Sequence, residues 1–207
     1  MKKFHALVLG IAFAALASGC STVRLVDSNV TSFSQWPSGP PGSGTTYRFE
    51  RLPSQQMVPG RAVSEIAQDQ LEAMARAALD QVGLANSPDR PALNIQVSAR
   101  TDYVQRYPAD DFGFWGRPGM SLGAGTAGSF IGLSFPLMRY EPPLYKREVS
   151  VVMRDARSNA VVYETRAVHD GIWGDAQTIF PAMLSSALQG FPVPPTGLRR
   201  VNVEIPR

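Results

Sequence analysis

The residues that could do chemistry are few and scattered. Cys20 is the sole cysteine of the 207-residue chain, so its thiol has no internal disulfide partner and needs another use. His169 is one of two histidines, and Asp170 and Asp175 follow it closely. A hydrolytic triad or a metal site would need convergent partners around it. However, Gly171 and Gly174 mark this stretch as a loop between a strand and a helix, and no G-x-S-x-G elbow occurs. A metal site here would need several carboxylates besides the one histidine, and none is assigned. Gly123-Ala124-Gly125-Thr126-Ala127-Gly128 matches the string G-x-G-x-x-G, with Glu141 downstream. The dinucleotide fold requires that string between a strand and a helix. Glycine and proline surround it here, so it reads as a flexible loop, and no cofactor is expected. Asp110-Asp111 reads as a solvated turn.

Cys20 is different because of what precedes it. Met1-Lys2-Lys3 is a small basic start, and Ala6 to Ala17 is almost wholly apolar. That is the pattern of a secretory signal, too short to cross a hydrocarbon core of roughly 30 Å, which takes about 20 helical residues. The run ends in Leu16-Ala17-Ser18-Gly19-Cys20, which resembles the lipobox of bacterial lipoproteins. The resemblance implies cleavage before Cys20 and acylation of its thiol and new amino terminus. Two or more acyl chains anchor a protein stably. Ser21 stands where an aspartate resembles an inner-membrane retention signal, so the expected address is the outer membrane, facing the periplasm.

Residues 20–207 then form one expected domain. Without residues 1–19 the chain keeps 18 Lys+Arg against 17 Asp+Glu, and Lys146 is its only lysine. The basic balance of the whole chain is therefore no sign of nucleic-acid binding, which shows clustered cations on one face.

Around these residues the patterning predicts the following elements. Val23, Leu25 and Val30 suggest a first strand, and Thr46 to Leu52 a second. Arg61 to Val82 carries Ile66, Leu71, Met74, Ala75, Ala78 and Leu79 on one helical stripe, with Glu72 and Arg76 spaced as an i,i+4 pair. Gly83 fits a left-handed cap. Leu93, Ile95, Val97 and Ala99 alternate as a strand, and Tyr103 keeps their phase. Val149, Val151 and Met153, a turn at 155–159, and Val161, Tyr163, Thr165 and Ala167 make a hairpin. Thr178 is placed to cap a second helix with Pro181 in its first turn, and Val201, Val203 and Ile205 form a closing strand. The expected fold is α+β: a mostly antiparallel sheet with two helices packed on one face.

Residues 108–144 form a long insertion rich in glycine, proline and aromatics. Its Phe112, Phe114, Trp115, Phe130 and Phe135 are the expected contacts for an envelope protein partner or the lipid surface.

From about Val23 to Pro192 the chain resembles the bacterial lipoprotein family named only as domain of unknown function 4136. The carriers are Thr46-Tyr47-Arg48-Phe49, the helix ending Val82-Gly83, the strand from Leu93, Val149 to Asp155, Ala160 to Glu164, and Phe191-Pro192. Tyr163 stands where the resemblance implies tryptophan, and the resemblance carries no active site. The expected role is a non-enzymatic binding or accessory module, anchored through lipid on Cys20. Two other readings stay open: an enzyme with a site near His169, and an auxiliary lipoprotein of a lipid or solute transport system.

Overall fold

The computed structural model describes residues 23–55, 66–104, 119–125, 128–134 and 142–206. Nine strands and two α-helices lie within them: β1 (Val23–Ser34), β2 (Thr45–Phe49), α1 (Gln68–Gln81), β3 (Leu84–Asn86), β4 (Leu93–Val104), β5 (Gly119–Gly125), β6 (Gly128–Ser134), β7 (Leu144–Asp155), β8 (Val161–Gly171), α2 (Ala176–Leu188) and β9 (Arg199–Pro206). Seven strands form one sheet in the order β3-β2-β4-β7-β8-β1-β9, while β5 and β6 form a separate antiparallel pair.

The sheet is mixed, which corrects the expectation of a mostly antiparallel one. β4, β7, β8, β1 and β9 pair antiparallel, but β2 pairs parallel with both β3 and β4. The cause is the position of α1. A helix between β2 and the following strands is a crossover, and a crossover returns the chain parallel to where it left. The three-residue strand β3 was too short to show any periodicity.

One face of the sheet is covered. Val26 and Val30 of β1, Ile95 and Val97 of β4, Val149, Val151 and Met153 of β7, and Tyr163 and Ala167 of β8 are buried with Leu71, Ala75 and Leu79 of α1 and Ile179, Phe180, Met183, Leu184 and Leu188 of α2. The period-2 phases in the strands and the stripes on both helices thus meet in a single core. The β7–β8 hairpin runs from Tyr145 opposite Gly171 to Arg154 opposite Val161, with a left-handed Asn159 (φ 59°) in its turn.

Three local expectations need correction. α1 starts at Gln68, since Ile66 and Ala67 are described and not helical. Glu72 bonds Arg51 (Nε to Oε1, 2.6 Å) rather than Arg76, tying the segment after β2 to the helix. α2 is capped by Asp175, whose carboxylate accepts from the Thr178 N–H; Thr178 is inside the helix and Pro181 is its sixth residue. Gly83 does take the left-handed conformation (φ 86°) that ends α1.

Candidate functional site

Antiparallel register gathers one set of residues at a single end of the sheet. β1 begins there, with Val23 opposite Pro206; β4 ends there, with Val104 opposite Leu144; and β8 ends there, with Gly171 opposite Tyr145. His169, Asp170 and Asp175 of the sequence reading all lie at this end.

They do not form a catalytic constellation. His169 is buried, at 4% exposure. Its Nδ1 lies 2.7 Å from the backbone carbonyl of Asp27, and since a carbonyl only accepts, Nδ1–H donates. The Asp27 carboxylate is 3.4 Å from the same nitrogen. Nε2 has no hydrogen-bond partner among the described residues. It packs so closely on Gly171 that a Cβ there would sit 2.7 Å from it. Asp170 is exposed and Asp175 is engaged in capping α2, so neither forms a relay with the ring. No group of three His, Cys, Asp or Glu able to hold a metal occurs among the described residues.

Beside His169, and opposite it in register, stands Arg147, fully buried. One Nη donates to the Trp173 carbonyl at 2.8 Å, and the guanidinium lies 4.7 Å over the Tyr145 ring. Arg24 of β1 sits 4.6 Å over the Trp173 ring and 3.9 Å from Asp175. Tyr103 meets Tyr145 edge to face, with centroids 5.5 Å apart. Two arginine–ring pairs and a tyrosine pair therefore line the end of four adjacent strands.

The carboxylates here are tuned downward. For Asp27, partial burial works against ionisation, but its ion pair with Arg200 and the nearby His169 outweigh it. For Asp175 the hydroxyl of Thr178 is the largest cause, with Arg24 adding to it.

Sequence reasoning missed Arg147, Arg24, Trp173 and the Asp27–Arg200 pair. A signal existed for the first. Arg147 keeps the phase of Val149, Val151 and Met153, as His169 keeps that of Tyr163, Thr165 and Ala167, so both are charged or titratable groups on a core-facing row. Asp27–Arg200 spans 173 positions and had none.

At the opposite end lies an open groove of about 770 Å³, lined by the loop after β1 (Trp36, Gly39, Pro41), by Thr46 and Arg90, and by the β7–β8 turn (Asp155, Ser158). Trp36 anchors it, donating from Nε1 to the Pro192 carbonyl (2.8 Å), stacking on Tyr163 and meeting Phe191 edge-on.

Of the other sequence candidates, Cys20, Phe112, Phe114, Trp115 and Phe135 lie outside the described residues. Phe130 is in β6, opposite Gly123. The glycine string 123–128 ends β5 and begins β6, with Gly125 opposite Gly128, so it spans a strand-to-strand connection and not the strand-to-helix turn a dinucleotide needs.

No curated protein matches the chain. Among solved structures it is similar to a PDZ domain protein from Parabacteroides distasonis, with 14% identity and a TM-score of 0.52, covering 93% of this chain and 41% of that one. It thus spans about two fifths of that protein's length, and the likeness is one of fold alone. It is also similar to PelC, solved as a dodecamer from Paraburkholderia phytofirmans, at 12% identity and TM-score 0.40 in one structure and 11% and 0.42 in another. These cover 78% and 80% of this chain, and 94% and 98% of those. The family model described as Domain of unknown function (DUF4136) matches residues 29–193, and the chain belongs to that family.

Proposed function

We propose that this member of the DUF4136 family is an envelope lipoprotein, acylated at Cys20, held at the outer membrane and facing the periplasm, and that it acts as a non-enzymatic binding or accessory module. The observation that carries the reading is Leu16-Ala17-Ser18-Gly19-Cys20, closing a short apolar leader and standing three residues before β1. Processing there leaves a linker of two residues between acyl anchor and sheet. A binding role would place the partner at the open groove beside Trp36, at the end of the sheet away from the anchor. No helix among the described residues is long and apolar enough to span a membrane.

The test is metabolic labelling of the full-length chain with palmitate. Wild type should incorporate label and lose its leader, whereas Cys20→Ala should persist as an unlabelled precursor. Normal labelling and processing of Cys20→Ala sinks the reading.

A further inference from the structure

Ten large apolar side chains are exposed among the described residues, and six of them gather at the end of the sheet where β1 begins: Val23, Leu25, Tyr103, Val104, Ile172 and Trp173. They come from β1, β4 and the segment after β8, and the strand order β4-β7-β8-β1 sets them across about 14 Å, three strand spacings of about 4.8 Å. Solvent-exposed apolar residues scattered singly need no explanation; a group on one end does.

We propose that this end of the sheet is a membrane-apposed face, seated in the headgroup region of the bilayer that holds the acylated Cys20. The proposal rests on that acylation and adds an orientation to it. Two residues separate Cys20 from Val23, and the three steps between their Cα atoms reach about 11 Å at full extension. An anchor that short keeps this end against the lipid surface, while β1 carries the chain away for twelve residues, about 40 Å.

The chemistry of the face fits that occupant. Tyr and Trp rings have an apolar body and a polar edge, which suits the zone between hydrocarbon and water. Arg24 over Trp173 and Arg147 over Tyr145 hold these rings at the rim. Charge is nearly balanced: Arg24, Arg100, Lys146 and Arg147 stand near Asp102, Asp170 and Asp175. The attraction is therefore interfacial and apolar rather than a basic patch seeking anionic lipid.

Depth measurements on the lipidated full-length protein test this. Cys20 is the only native cysteine and its thiol is consumed by acylation, so one introduced cysteine takes a nitroxide label cleanly. Val104→Cys and Ile172→Cys probe the face; Val193→Cys and Leu198→Cys probe the other end, and all four sites are exposed, so folding is spared. In vesicles of phosphatidylethanolamine and phosphatidylglycerol, labels at 104 and 172 should be several-fold less accessible to a water-soluble nickel complex, and more accessible to oxygen, than those at 193 and 198. Equal nickel access at all four sites in palmitate-labelled protein overturns the face and leaves the anchor standing. Absence of palmitate overturns both. Protection at 104 and 172 that needs native envelope membranes and is missing in pure lipid also overturns the proposal, because the occupant is then a protein.

Discussion

At the end of the sheet where β1 begins, polar side chains are buried and apolar ones stand exposed among surface charges. Arg147 and His169 are buried there, while Ile172, Trp173, Tyr103 and Val104 face out. At the other end the order is reversed. Trp36, Tyr163 and Phe191 pack on one another inward, and Arg90, Arg157 and Ser158 line an open groove. The sheet and its hydrophobic row are continuous between the two, so the difference does not come from the core. On the reading proposed above, it reflects what each end meets. A polar loop cluster over an aromatic stack suits water and a soluble ligand, whereas exposed rings over a buried arginine suit a surface that is itself partly apolar.

The comparison breaks most clearly at Arg147. Arg147→Ala removes a fully buried side chain and leaves the Trp173 carbonyl without that donor, so a loss of about 3 kcal/mol in chemical denaturation is expected. A neutral result would mean that Arg147 does not organise its end. At the groove end, Trp36→Ala gives up two ring contacts and the bond to Pro192 from a half-buried position, with an expected cost of about 2 kcal/mol by the same measurement. If it proves the costlier of the two, the groove end and not the end where β1 begins depends most on one side chain.

Smaller effects sharpen the picture. Asp175→Ala removes the cap of α2 next to Arg24 and should cost about 1 kcal/mol, with Asp175→Asn retaining most of it. The smallest effect is a pH dependence. Asp27 is held below its ordinary 3.8 in the folded chain, so its contribution is present above that value and is lost as pH falls through the lower folded one. Because the group is partly solvated, Asp27→Asn should cost only a few tenths of a kcal/mol at neutral pH and make the acid limb of a stability–pH curve shallower. An unchanged acid limb would place the sensitivity elsewhere, with Asp155 and Asp175 the next carboxylates to replace, since both are also held low.

Much of the fold was legible because it is written in short-range periodicity. The alternation through Val149, Val151 and Met153 and through Tyr163, Thr165 and Ala167 named a hairpin, and the stripe through Leu71, Ala75, Ala78 and Leu79 named α1, because period depends only on which neighbours share a face. Its exact start was not legible, since Ile66 is buried without being helical. The family was also readable from these motifs, and the five residues ending at Cys20 raised lipid attachment without any structure.

Pairing across the sheet was decided only by tertiary structure. β2 lies parallel to β3 and β4 because α1 returns the chain, and no local pattern encodes strand direction. Asp27 meets Arg200, and Arg147 meets His169, because register brings distant positions together once strand order is set. For the same reason Tyr103, Trp173 and Val23, unremarkable in sequence and up to 150 positions apart, share one end of the molecule. Period is a property of neighbours along the chain, but a surface is assembled by the order and register of strands.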